Sequence, residues 1–133
     1  MLFLYKILTL VLYPFLIILI FFRRFLGKED LNRFKEKIFF QKKEIISDKL
    51  IWFHAASIGE INSIIPVVKY FLEKNKDLKI LITSVTLSSG KIFRDQFKND
   101  KNIIHKYFPM DISYLVRDFV IKWNPKLVVF VDS

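Results

Sequence analysis

Residues 2–22 are apolar apart from Lys6 and Thr9, and Arg23 and Arg24 follow at once. Water tolerates no such run: it must enter a protein core or a lipid phase. As a helix, about 20 residues at about 1.5 Å per residue match the roughly 30 Å hydrocarbon core of a bilayer. Lys6 is near enough to the end to snorkel, and Pro14 kinks such a helix without forbidding it. A cleaved signal peptide fits poorly, because the run is long, a single Lys precedes it and no small-residue cleavage site follows. Arg23, Arg24 and Lys28 place the rest of the chain on the cytoplasmic side by the positive-inside rule. The absence of cysteine fits that compartment. The expectation is a single-pass anchor over residues 1–24, preferred over an interfacial helix lying in the membrane plane.

Net charge is +9, unevenly spread. Residues 23–49 hold nine Lys and Arg against five acids. Beside an anionic leaflet each such cation is worth about 1 kcal/mol, which makes anionic membrane lipids the expected partner. The blander source is a composition rich in Lys, Ile, Phe and Asn throughout. Nucleic acid is not expected, since no recognition motif accompanies the basic residues. Leu31, Phe34 and Ile38 recur at helical spacing and predict a short basic amphipathic helix over 30–40, with a polar connector over 41–49.

From Leu50 the pattern changes. Short apolar, β-rich runs at 50–53, 79–83, 103–108 and 126–131 alternate with helical patterns at 60–75, 89–98 and 112–123. Strands that are apolar on both faces and separated by helices specify a parallel sheet. With right-handed crossovers this is an α/β, Rossmann-like open sheet over 50–133, preceded by the N-terminal transmembrane helix. The chain stops directly after its fourth strand, so the domain is expected to be truncated.

Open parallel sheets bind ligands outside the carboxyl ends of their strands. The exits here are 54–60, 83–90, 109–111 and 132–133, rich in small, hydroxyl and acidic residues. In a sheet ordered 3-2-1-4, strands one and four would bring Glu60 and Asp132 towards one cleft. Ser57-Ile58-Gly59-Glu60 is also an S-x-x-E capping box, and on pattern alone capping outranks catalysis. Ser88-Ser89-Gly90 could hold an anion at a helix N-terminus or merely begin a helix. The spacing fits neither a phosphate-binding P-loop nor a dinucleotide fingerprint. His54 and His105 are read first as packed strand histidines, and two histidines without cysteine form no metal site. No nucleophile elbow is present.

The stretch Trp52-Phe53-His54-Ala55-Ala56-Ser57-Ile58-Gly59-Glu60 resembles the W-x-H-A-x-S-x-G-E segment of bacterial 3-deoxy-D-manno-octulosonic acid (Kdo) transferases. Further resemblances follow in order: the basic helix at 31–37, the loop at 84–90, Tyr107-Phe108-Pro109-Met110-Asp111, and the ending at 124–133. Ser84 replaces a usual Thr, and Asp132 a usual Glu. The resemblance implies the N-terminal, acceptor-binding half of a two-domain GT-B glycosyltransferase. It further implies inverting transfer of Kdo from CMP-Kdo to the lipid A precursor at the inner membrane, without metal or cofactor. The donor CMP-Kdo would be held mainly by a C-terminal domain beyond this chain, so the fragment alone is expected to be inactive. Glu60 becomes the general base, beside a His54 of unassigned role. Acceptor contacts are expected from Ser57, Gly59, Ser88, Ser89, Gly90 and Asp132, with Arg23, Arg24, Arg33, Lys35 and Lys37 for its phosphates. The alternatives are a membrane-anchored, non-catalytic binding module and a GT-B transferase for another lipid-linked acceptor.

Overall fold

The computed structural model describes residues 2–39 and 49–131; Asp132 and most of the 41–49 connector lie outside the described residues. The elements run α1 (Leu2–Phe25), a 3-10 turn (Phe34–Lys37), β1 (Leu50–Ala55), α2 (Ile58–Lys74), β2 (Lys79–Ser84), α3 (Leu87–Gln96), β3 (Ile103–Tyr107), α4 (Ser113–Trp123) and β4 (Leu127–Val131). They form two compact units, one of residues 43–108 with 123–133 and the other of residues 1–42 with 109–122.

The first unit is the sheet. Its strand order is β3-β2-β1-β4, and every neighbouring pair is parallel. The alternation of apolar runs and helices therefore produced the expected α/β arrangement, which fits a Rossmann-like domain. One face is closed by α2 and α3. Ile61, Ile64 and Val68 recur at helical spacing along α2 and pack with Phe53 and Ala55 of β1, Ile80 and Ile82 of β2, and Phe93 of α3. Ile61, Val68, Ile80 and Ile82 are wholly buried, and removing water from each aliphatic side chain contributes about 1.5–3 kcal/mol. β1 runs two residues further than the apolar pattern at 50–53 predicted. His54 and Ala55 stay in the ladder because they pair with Thr83 on one side and with Phe130 and Val131 on the other. α3 starts two residues before the predicted 89, because Thr86 supplies its cap.

The second unit contains α1. Phe3–Phe25 is the one described helix long and apolar enough to cross a membrane, with a mean hydropathy of 2.3. It ends where Gly27 adopts a φ of +68°, letting the Gly27 N–H reach the Arg24 carbonyl (3.0 Å) and the Lys28 N–H the Arg23 carbonyl (3.0 Å). Only glycine takes that left-handed turn without a Cβ penalty. The helix is not solitary. Ile17, Ile20 and Phe21 pack with Phe34, Ile38 and Met110. Further along, the Tyr13 hydroxyl donates to the Ile38 carbonyl, and Tyr13 meets Tyr114 edge to face at 5.8 Å.

The expected amphipathic helix over 30–40 is not formed. Asp30 instead makes a tight turn, its carboxylate accepting from the N–H groups of Asn32 and Arg33 (both 3.1 Å), and only the 3-10 turn follows. A single turn suffices to deliver Phe34 and Ile38 to α1, and Leu31, the third apolar position, remains exposed. At the far end of α4, Asn124 takes a φ of +42° ahead of Pro125. Asn tolerates that conformation and Pro cannot continue a helix, so this Asn-Pro pair is a helix terminator.

Candidate active site

Strand β1 alternates its side chains, so Phe53 and Ala55 enter the core beneath α2 while Trp52 and His54 share the other face. Register places His54 opposite Thr83. The Thr83 hydroxyl is consequently shared: the Trp52 indole N–H donates to it at 2.8 Å, and His54 Nδ1 lies 2.8 Å away. Phe108 and Phe130 flank the imidazole at centroid distances of 4.4 and 5.3 Å. Burial among these rings pushes the His54 pKa below the usual histidine range, and the negative charge of Glu60 opposes that shift. The packed-histidine reading holds for His54. It holds also for His105, whose Nε2 lies 2.8 Å from the Ser84 hydroxyl and whose ring stacks on Phe93.

The chain leaves β1 through Ala56 and enters α2 at Ser57. Ser57 is the N-cap: its hydroxyl accepts from the Glu60 N–H at 3.2 Å and donates to Glu60 Oε1 at 2.8 Å. Glu60 Oε2 accepts from the Ala56 N–H (2.7 Å) and the Ser57 N–H (3.4 Å). The capping box expected from S-x-x-E is therefore complete. It fixes a carboxylate, 8% exposed, at the N-terminus of a helix and at the carboxyl end of a parallel strand. Gly59, beside it, is exposed, and a Cβ built there meets nothing nearer than Ser57 Oγ at 4.0 Å. The fold does not require glycine at that position.

The next exit is different. Thr86 caps α3, accepting from the Ser89 N–H at 3.2 Å, and the Ser89 hydroxyl lies 2.6 Å from the Thr86 hydroxyl. Ser89 also approaches the Ala56 carbonyl at 3.5 Å, tying this loop to the one that carries Glu60. Ser88 is exposed, whereas Ser89 and Gly90 are buried. Gly90 is a packing glycine: a Cβ would come within 3.0 Å of His105 Cε1 and of the Tyr107 hydroxyl. The structure thus gathers Ser57, Gly59, Glu60 and Ser89 at one sheet edge and turns Gly90 inward. Two hollows of this unit, of about 550 and 440 Å³, lie at the opposite, amino-terminal ends of the strands and include none of these residues.

The basic residues belong to the other unit and have partners there. Glu29, 2% exposed, receives both Arg23 Nε (2.8 Å) and the Lys37 ammonium. Arg33 grips Glu36 through Nε (2.8 Å) and Nη2 (2.9 Å), and Arg24 lies 4.8 Å over the Phe34 ring. Lys35 is exposed. The sequence showed a block of positive charge but not its internal compensation. Asp132 falls outside the described residues, and no group of His, Cys, Asp and Glu suited to a metal ion occurs among the described ones. Thr83 was missed as a candidate: its partners become visible only once β1 and β2 are in register.

Comparison with known proteins supplies what geometry alone does not. Residues 32–133 match the family described as 3-deoxy-D-manno-octulosonic-acid transferase (kdotransferase). The chain is 35% identical over 130 residues to the 3-deoxy-D-manno-octulosonic acid transferase of Rickettsia bellii, covering 98% of this chain and 31% of that protein. It is 30% identical, over 98% of itself and 29% of the relative, to a probable mitochondrial 3-deoxy-D-manno-octulosonic acid transferase of Arabidopsis thaliana. The transferase of Chlamydia pneumoniae is 35% identical over 84 residues, 63% of this chain and 19% of that protein. No solved structure matches significantly. The chain spans about 31% of the length of the first of these relatives. The match begins inside the basic segment and continues through every strand exit described above, so this chain belongs to the 3-deoxy-D-manno-octulosonic-acid transferase family.

Proposed function

We propose that this chain is the acceptor-binding half of a Kdo transferase, with Glu60 as its general base. The reaction is transfer of Kdo from CMP-Kdo to a hydroxyl of the lipid A precursor in lipopolysaccharide synthesis. The observation that carries the reading is the buried Glu60 carboxylate, set at a strand's carboxyl end beside an uncovered Gly59, inside the family's matched segment. In the proposed step the acceptor hydroxyl takes the place of the Ser57 hydroxyl on Oε1. Glu60 accepts its proton as the acceptor oxygen bonds to the anomeric carbon, and the bond to CMP breaks with its electron pair leaving on the phosphate oxygen. Attack opposite the leaving group inverts the anomeric carbon. No step calls for a metal.

The remaining assignments follow from the same reading. The sheet is the N-terminal domain of a GT-B enzyme over 50–133, and CMP-Kdo is held mainly by the portion of the relatives that this chain does not cover. Ser57, Gly59, Ser88 and Asp132 are its acceptor contacts, and Ser89, whose hydroxyl is buried against Thr86 and the Ala56 carbonyl, shapes that surface from within. Gly90 acts from beneath by letting α3 approach β3 closely. Arg23, Arg24, Arg33, Lys35 and Lys37 serve the acceptor phosphates, with exposed Lys35 foremost, while the Glu29 and Glu36 pairings hold Arg23, Lys37 and Arg33 in place and Arg24 rests on the Phe34 ring. Residues 1–24 keep the protein at the cytoplasmic face of the inner membrane, and the basic segment over 25–49 favours its anionic lipids. The test is product analysis: a full-length transferase carrying this segment, given CMP-Kdo and the lipid A precursor, yields a Kdo-extended lipid. Transfer only to another lipid acceptor refutes the substrate assignment, and no transfer to any acceptor refutes the enzyme reading.

A further inference from the structure

Helix α1, most of whose side chains are exposed, touches protein of its own unit at intervals from Tyr5 to Arg23. Near its start, the Tyr5 hydroxyl lies 2.7 Å from the Asp111 carboxylate and 3.1 Å from the Asp111 carbonyl. At mid-length Tyr13 reaches Ile38 and Tyr114. Further on, Ile17, Ile20 and Phe21 join Phe34, Ile38 and Met110, and Arg23 ends on Glu29. From Tyr5 to Arg23 this is roughly 27 Å of helix at 1.5 Å per residue, close to the full thickness of a hydrocarbon core. The opposite face is bare and apolar. Leu8, Val11, Phe15, Ile18, Phe22 and Phe25 recur at alternating three- and four-residue steps, and Phe15 is 68% and Phe25 85% exposed.

We propose that α1 is an in-plane, monotopic membrane helix that buries this stripe in one leaflet, rather than a span. The proposal rests on the reading that the chain works at a membrane surface. A spanning α1 would carry its partners into the bilayer with it. Asp111, exposed and held by Tyr5 near the start of the helix, would have to be carried across the hydrocarbon with its loop, where a charged side chain is costly. The alternative is to strip those partners from α1 and expose Phe34, Ile38 and the Glu29 ion pairs. Lying flat, the helix keeps every contact and gives its outer stripe, with the exposed flanking Leu10, Leu12 and Leu19, to the acyl chains. Exposed Lys28 and Lys35, near its carboxyl end, suit an anionic headgroup layer.

These 133 residues hold no cysteine, so a single cysteine placed among them reports cleanly once any cysteine elsewhere in a full-length protein has been replaced. Leu8→Cys, Phe15→Cys and Phe22→Cys, each spin-labelled and bound to phosphatidylglycerol–phosphatidylcholine vesicles, should show the same shallow immersion depth by oxygen and nickel-chelate relaxation. A depth greatest at Phe15 and falling towards both ends overturns the in-plane arrangement while sparing the membrane reading. Failure to bind the vesicles at all overturns both. In sealed vesicles from cells, an impermeant maleimide should reach Lys6→Cys from the same side as Lys35→Cys; labelling from opposite sides again means a span.

Discussion

Two glycines near the site should respond oppositely to the same substitution. At Gly59, the second residue of α2, the space for a Cβ is open to 4.0 Å and φ is not in the left-handed region. Gly59→Ala therefore introduces no clash and removes conformational freedom from the unfolded chain, a gain of about 0.4–1 kcal/mol. At Gly90 the same methyl meets His105 Cε1 and the Tyr107 hydroxyl at 3.0 Å and Tyr107 Cε1 at 3.1 Å. His105 is tied to Ser84 and stacked on Phe93, so it has little freedom to retreat. Overpacking of this kind costs about 1–3 kcal/mol. Thermal midpoints in detergent should thus rise for Gly59→Ala and fall for Gly90→Ala. Transfer by a full-length enzyme should nevertheless drop in Gly59→Ala, about tenfold or more, because the methyl occupies the space the acceptor needs beside Glu60. A more stable Gly59→Ala enzyme with unchanged kcat/KM would refute the idea that this bare surface is kept for substrate.

Three further outcomes follow from individual contacts. Ser57→Ala deletes the cap and its bond to Glu60 Oε1, and should cost about 1 kcal/mol in chemical denaturation. Glu29→Gln removes the carboxylate shared by Arg23 and buried Lys37; loss of a buried ion-pair partner costs about 3–5 kcal/mol, so a loss well under 1 kcal/mol would contradict the buried pairing. His54 has a pKa depressed below its unfolded value of about 6.5, so the unfolded chain takes up the proton first as pH falls. The associated stability is fully present above that value and is lost on descending from it through the folded pKa. His54→Gln should flatten the fall of thermal midpoint between pH 7 and pH 5, and an unchanged slope would place the titration elsewhere.

Much of this was legible in the chain. The four strand positions followed from apolar runs separated by helical periods, and the Ser57–Glu60 cap from its spacing, because both are local patterns. What depended on long-range register was not legible. Thr83 joins Trp52 and His54 only because β2 pairs with β1 in one register. The inward turn of Gly90 needs β3 behind α3. Residues 109–122 read as one more helix of the sheet domain, yet they group with α1, since periodicity tells which face of a helix is buried and not what covers it. The basic block misled in the same way, because Glu29 appears in sequence as one acid among many cations and in the structure as the shared partner of Arg23 and Lys37.

If the capping carboxylate of α2 is also the base, the single-turnover rate of Kdo transfer by a full-length enzyme carrying Glu60→Gln reports it. Glutamine can still accept from the Ala56 N–H and donate to the Ser57 hydroxyl, so fold and acceptor binding should persist. The chemical step should slow by about 10²–10⁴-fold, the usual contribution of a general base. A variant that binds the acceptor normally and transfers at the wild-type rate would leave Glu60 a helix cap and nothing more.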